Sequence, residues 1–260
     1  RTTDYGSTWH PLFDKESTGS IGAIAVAPSN PKTIYVGTGA GIIRPDLATG
    51  DGFYKSTDEG KTWTKTGLTD SKMIAMIDVD PRDENRLFVA VLGHPYGPNA
   101  ERGIFRSLDG GKTFQKVLYK DEYTSGNDVR IDPNNPNVVY ASMWQQQQAF
   151  WEGGGFGSGG NGVFKSTDGG NKFRPVYLPA AVGAGGTAAT AAAIQKIVVS
   201  PKYPTDSFVA GMEAIKDWKD IFGSPPMTFS STKHQGSSES FLCVVKGNRW
   251  VPVSKTPIGY

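Results

Sequence analysis

Short runs of alternating apolar and polar or small residues recur along this chain, separated by clusters of Pro, Gly, Asn and Asp. The run Ile21 to Pro28 leads through a turn to Lys32 to Gly37. In the same way Met73 to Pro81 leads to Asn85 to Ala90, Asp128 to Pro133 leads to Asn137 to Ala141, and a weaker Ile194 to Pro201 leads to Asp206 to Gly211. Period-2 alternation bounded by turn residues predicts a strand, a turn and a second strand in each case.

A second phrase repeats in phase with the first. It reads Thr2 to Trp9, Ser56 to Trp63, Ser107 to Phe114 and Ser166 to Phe173, so that its starts at 2, 56, 107 and 166 lie 54, 51 and 59 residues apart. A short hydroxyl residue and an Asp two positions later can accept N–H bonds from a tight turn, Gly supplies a conformation that a side chain resists, and the final aromatic returns to an apolar layer. Before three of these turns stand Gly52 to Lys55, Gly103 to Arg106 and Gly162 to Lys165, which read as strands. The repeated Asp58, Asp109 and Asp168 are expected to pin hairpin tips rather than to catalyse.

Four strands per period make a small antiparallel sheet that cannot bury both apolar faces alone, so successive sheets must stack. The expected fold class is all-β: a β-propeller of four-stranded antiparallel blades, either small or a fragment of a larger propeller. Residues 1–211 form the repeats. The chain opens inside a hairpin, and strands from the two ends could complete one shared blade. The fragment reading is preferred, since nothing before Arg1 resembles an initiating Met.

Composition narrows the function classes. The 33 Gly and 17 Pro among 260 residues suit a turn-rich β protein, and a net charge of +2 with Lys and Arg scattered among acids gives no nucleic-acid footprint. No apolar stretch is long enough for a membrane helix. The lone Cys243 sits in Phe241 to Val245 and is expected to be a buried, inert thiol. His10, His94 and His234 are dispersed, so no metal and no cofactor is expected.

The Ser/Thr-x-Asp-x-Gly-x-Thr-Trp/Phe phrases resemble the Asp-box, or bacterial neuraminidase repeat, shared by sialidases, oligoxyloglucan-active hydrolases, sortilin-like receptors and photosystem-assembly propellers. Over about residues 1–175 the chain is most similar to exported proteins of the sortilin-like and glycosyl-hydrolase-repeat type. The resemblance implies Asp-box hairpins in a propeller and a periplasmic or secreted location; it does not by itself imply an activity. The sialidase chemistry of an arginine clamp and a Tyr nucleophile finds no matching strand context around Arg44, Arg102, Arg130, Tyr54 or Tyr140.

Insertions between the second and third strands, Thr38 to Asp51, Leu92 to Arg102 and Trp144 to Asn161, occur at equivalent points of three repeats and are expected on one rim. Arg44, His94, Tyr96, Arg102, Trp144, Gln146, Phe150 and Trp151 are the candidate ligand-binding residues, because aromatic rings with amides and charges suit a neutral carbohydrate. An inter-domain contact or plain loop packing is the alternative. Asp46, Glu101 and Glu152, one on each loop, are the candidate catalytic carboxyls, since glycoside hydrolysis needs two across a cleft. The expected function is an extracytoplasmic propeller recognising an oligosaccharide or an extracellular protein. A glycoside hydrolase acting on a neutral polysaccharide is the alternative, and a solute-binding component is a third.

The tail from residue 212 changes character. A short helix is expected within Ser207 to Ile221, and Ser240 to Val253 reads as a hairpin with Gly247 and Asn248 at its turn. This segment resembles the C-terminal end of periplasmic branched-chain amino-acid-binding proteins. Without their two-lobed body it implies no amino-acid cleft. Residues 212–260 either close the propeller or are an unrelated fused segment.

Overall fold

The computed structural model describes residues 1–42, 47–147, 155–156, 161–177, 197 and 199, and the strand backbones at 239–240, 243–246, 249–252 and 258–259. The chain divides into two compact units, Arg1–Val199 and Ser200–Tyr260.

Three four-stranded antiparallel meanders build the first unit. The first is β1 (Ile21–Val26), β2 (Ile34–Thr38), β3 (Phe53–Ser56) and β4 (Thr64–Gly67). The second is β5 (Ile74–Val79), β6 (Leu87–Val91), β7 (Gly103–Ser107) and β8 (Gln115–Leu118). The third takes β9 (Thr124–Ile131), β10 (Val139–Gln147), β12 (Gly162–Ser166) and β13 (Arg174–Tyr177), while the far end of β10 also pairs with β11 (Gly155–Phe156). The all-β, four-strands-per-repeat reading therefore holds.

Alternation along the strands stacks the sheets. Leu87, Val89 and Val91 of β6 join Tyr35, Phe53 and Ile77 in one core, whereas Phe88 and Ala90 of the same strand join Val129, Val139, Ala141 and Met143 in another. Sheet 2 is thus buried on both faces, and its central strand is apolar at every position, as a doubly covered strand must be. Successive first strands lie side by side, β1 by β5 and β5 by β9. Each carries one extra residue, Gly22 between Ile21 and Ala23, Ala75 between Ile74 and Met76, and Asn127 opposite the step from Ser142 to Met143.

Three of the four repeated turns share one full hydrogen-bond pattern, and the fourth keeps it except for the Thr hydroxyl, whose place Lys172 takes. Ser56 Oγ accepts the N–H of Gly60 at 2.8 Å and donates to Asp58 at 2.8 Å, while Asp58 accepts the N–H of Thr62 at 2.9 Å and its hydroxyl at 2.6 Å. Thr2 with Asp4 and Ser107 with Asp109 repeat this set. The hydroxyl and N–H of Thr62 hold Asp58 at about 2, below the usual carboxylate range. Phe114 packs on Phe53 of the preceding sheet with ring centroids 5.1 Å apart, and Trp63 packs on Phe13 at the same distance. Trp9 of the first turn is instead 71% exposed.

In the second unit β14 (Glu239–Ser240) pairs with β17 (Ile258–Gly259), and β15 (Cys243–Lys246) pairs with β16 (Arg249–Pro252). Lys246 opposite Arg249 leaves a two-residue link, as the Gly247-Asn248 pattern predicts. The side chain of Cys243 and the expected helix within 207–221 lie outside the described residues.

Candidate functional site

Of the three insertions expected on one rim, the middle one is described throughout. Arg44 and Asp46 of the first and Phe150, Trp151 and Glu152 of the third lie outside the described residues. Gln146 is described in backbone only, on β10 opposite Phe156.

Arg102 organises the middle loop. Its guanidinium donates to the carbonyls of Leu92, His94 and Gly97 and to Ser125 Oγ, and the side chain is fully buried. The five donors of a planar guanidinium suit such a ring of carbonyls. Burial in this nearly uncharged setting lowers its pKa to about 10. Arg102 is thus a strap for its own loop, and the expectation that it faces a ligand is corrected by that burial.

The loop is seated on the connection between β4 and β5. Asn99 Nδ2 donates to the carbonyl and carboxylate of Asp70 at 3.2 and 3.0 Å, and Glu101 accepts the N–H of Asp70 at 3.1 Å. Burial raises Glu101 above its ordinary value, against the N–H of Asp70, which pulls it down, and with a smaller upward push from the Asp70 charge. His94 and Tyr96 are half-buried, with ring centroids 6.2 Å apart, and His94 Nδ1 accepts the N–H of Tyr96 at 3.2 Å. Of the named residues, then, His94, Tyr96, Glu101 and Arg102 share one loop, but Arg102 faces inward.

Trp144 is a second correction. It was expected on an exposed loop, yet it continues β10, paired with Ser125 of β9, and is only 8% exposed. A nine-residue strand, Val139–Gln147, absorbs what the sequence suggested was the start of the insertion.

A second polar cluster, not singled out from the sequence, lies along the first strands. Asp78 of β5 and Arg130 of β9 occupy matching positions, opposite Phe88 and Tyr140 of their partner strands. Asp78 accepts the N–H of Ile131 at 2.6 Å, and Asp128 accepts that of Ile197 at 2.6 Å while holding Arg130 Nε at 3.2 Å. Asp78, Arg130, Ile131, Pro133, Ile197 and Val199 line a hollow of about 320 Å³. Burial pushes Asp78 up to about 6, against the N–H of Ile131 and the charge of Arg130, which pull it down. The available signal was a charged residue in an otherwise apolar first strand, Asp78 in Met73 to Val79.

Among the described residues no cluster of His, Cys, Asp and Glu is arranged to hold a metal, and no helix is long and apolar enough to cross a membrane.

No family model matches the chain. The xyloglucanase Xgh74A of Acetivibrio thermocellus is 25% identical over 204 residues, covering 65% of this chain and 22% of the relative. A xyloglucanase of Hypocrea jecorina is 28% identical over 169 residues, covering 59% of this chain and 18% of the relative. The chain therefore spans about a fifth of the length of these relatives. Among solved structures, an ancestral GH74 enzyme matches with a TM-score of 0.48 and 23% identity, covering 65% of this chain and 19% of its own.

These findings correct the family suggested by the turns. The relatives are xyloglucanases, not Asp-box proteins of the sialidase or sortilin-like type. They also correct the functional expectation: similarity to hydrolases favours the glycoside-hydrolase alternative over a purely non-catalytic recognition module.

Proposed function

We propose that this chain is part of a carbohydrate-active hydrolase that works outside the cytoplasm on a neutral polysaccharide of the xyloglucan class, and that its stacked sheets belong to a propeller. The observation that carries this reading is the similarity to xyloglucanases over 65% of the chain. Hydrolysis requires a carboxylic acid that is still protonated near working pH, to protonate the departing oxygen. Glu101 is the candidate, because burial shifts it toward its neutral form against the opposing hydrogen bond from the N–H of Asp70. It sits on the rim loop that carries His94 and Tyr96, whose rings supply faces against which a pyranose can stack. Asp46 and Glu152 on the neighbouring insertions are the candidates for its partner carboxylate.

Release of reducing ends from xyloglucan and other neutral β-glucans is the test. Glu101→Gln should abolish release while leaving the urea unfolding midpoint within the range of other surface variants. A folded protein that releases nothing from any of these polymers would sink the reading.

A further inference from the structure

Two of the three insertions meet at one short connection, residues 68–73 between β4 and β5. From the first insertion, Gly50 N–H donates to the carbonyl of Lys72 at 2.6 Å, and Gly39 packs so closely that a Cβ there would lie 2.1 Å from the same oxygen. From the second, Asn99 and Glu101 hold Asp70 by its carbonyl, its carboxylate and its N–H. The backbone between these anchors is strained. Leu68 and Lys72 have φ of 51° and 57°, in the left-handed region that a residue with a side chain enters at a cost. Met73 N–H donates to the carbonyl of Ser71, which with the positive φ of Lys72 makes the rare, strained form of the γ-turn. The connection between β8 and β9 is built without such strain. None of residues 119–123 is left-handed, and Asp121 closes its own turn by accepting the N–H of Tyr123 and the hydroxyl of Thr124, each at 2.8 Å.

Glycine or asparagine would occupy position 72 with less strain. The chain carries a lysine there, and its ammonium stands 3.6 Å from Asp70 Oδ1. That is an ion pair too long for a hydrogen bond, and neither atom has a hydrogen-bond partner among the described residues. Asp70 Oδ2, by contrast, is fixed by Asn99 at 3.0 Å. The carboxylate of Asp70 is exposed, and an exposed pair contributes little to stability, so it does not account for the strain. Strain that stability does not explain is a mark of function. The surroundings narrow the ligand. Two ammoniums, Lys72 and Lys116, act on the same place as two carboxyls, Asp70 and Glu101, so neither sign of charge is in strong excess.

We propose that Asp70 and Lys72 are a hydroxyl-binding pair for a neutral sugar, taking two neighbouring hydroxyls of one pyranose ring beside Glu101. One hydroxyl donates to Asp70 Oδ1, and the oxygen of the next accepts from Lys72 Nζ, so each charged group gains the hydrogen bond it lacks. The strained turn holds the ammonium beside Asp70 before the sugar arrives, which lowers the ordering cost of binding. The pair rests on the hydrolase reading and deepens it, seating the substrate ring between the first two insertions; its contribution is to binding and not to bond cleavage.

Titration calorimetry with a xyloglucan oligosaccharide reads the contact directly, in the Glu101→Gln protein so that no cleavage adds heat. Asp70→Asn and Lys72→Gly should each weaken binding at least about tenfold, as the loss of one hydrogen bond to a charged group implies. Lys72→Arg, which keeps a cationic donor, should lose less than Lys72→Gly. Because glycine relieves the left-handed backbone, Lys72→Gly should unfold at no lower urea concentration than its parent. Raising salt from about 20 to about 200 mM should change the affinity less than about twofold, since the ligand carries no charge. Undiminished binding by both Asp70→Asn and Lys72→Gly, no binding by the parent, or equal binding of a fully O-methylated oligosaccharide would overturn the pair. So would a clearly lower urea midpoint for Lys72→Gly, because the lysine would then be kept for the fold. Release of reducing ends is measured separately with Glu101 intact. A protein that cleaves the polymer while these substitutions leave its affinity unchanged therefore loses the pair and keeps the hydrolase reading.

Discussion

Asp78 of β5 reaches across to β9 and accepts the backbone N–H of Ile131 at 2.6 Å. First strands of neighbouring sheets are edge strands, and an edge carries N–H groups that no ladder partner satisfies. A carboxylate from one sheet thus caps the edge of the next, and Asp128, elsewhere on β9, likewise accepts the N–H of Ile197. The two differ in surroundings. Asp128 has Arg130 against it at 3.2 Å, whereas Asp78 sits in the hollow with burial as its dominant influence.

That difference predicts a pH dependence of stability. Asp78 has a folded pKa raised to about 6 from 3.8. Below 3.8 the carboxyl is protonated in both states and contributes nothing; between 3.8 and 6 the folded state holds the proton more tightly than the unfolded one. Stability therefore falls as pH rises through this window, and above about 6 the full penalty of an ionised buried group is present. Asp78→Asn keeps an oxygen for the N–H of Ile131 and cannot ionise. It should gain on the order of 1–2 kcal/mol over the parent at pH 8, after allowing for partial solvent access, and nothing at pH 3.5. Urea unfolding of both proteins at the two pH values measures this, and an equal difference at both would refute the assignment.

Arg102→Lys should be far from conservative. A lysine ammonium can satisfy at most three acceptors and cannot span the carbonyls of Leu92, His94 and Gly97 together with Ser125 Oγ. Leaving buried acceptors unpaired costs about 1–3 kcal/mol each where water cannot replace the donor. The variant should lose roughly 2–4 kcal/mol in urea unfolding. Limited proteolysis should cut first between Leu92 and Arg102. An unchanged midpoint with an uncut loop would show that the strap is dispensable.

Repetition made the sheets legible from the sequence because each repeat carries its own local instructions. Ser107, Asp109 and Gly111 close their turn by bonds within eight residues, and the alternation around Val89 or Ala141 needs only one neighbouring strand to act on. The capture of Ile131 by Asp78 joins residues 53 apart, and no local pattern announces it. Trp144 misled because Gln and aromatic residues after Met143 resemble a binding loop. Pairing with β9 through Gln145 opposite Thr124 instead carries the strand on and takes the indole inside. Arg102 misled for the opposite reason: a charged residue beside a loop reads as surface unless the carbonyls that will surround it are known. The turn phrase reports how a hairpin is pinned. Unrelated activities can share that geometry, which is why it pointed to the wrong family.

Two adjacent glycines in the fourth turn offer the sharpest check on the turn geometry. Gly169 and Gly170 both have positive φ, 73° and 86°. At the place of Gly169 the earlier turns carry Tyr5 at 55° and Glu59 at 65°, so the left-handed conformation there is compatible with a side chain. A Cβ on Gly169 would meet nothing closer than 3.6 Å, whereas one on Gly170 would lie 2.4 Å from the ring of Phe88 in the preceding sheet. The first position needs only its φ, which Asn tolerates. The second needs both its φ and an empty side, because Phe88 is buried and locked in the core between sheets 2 and 3. Gly169→Asn should change stability by less than about 1 kcal/mol, while Gly170→Ala should cost about 2–4 kcal/mol from strain and overpacking combined. Equilibrium urea unfolding of the two variants side by side gives the comparison. Equal losses would mean that φ alone sets the requirement and that the contact with Phe88 does not hold the sheets together at this turn.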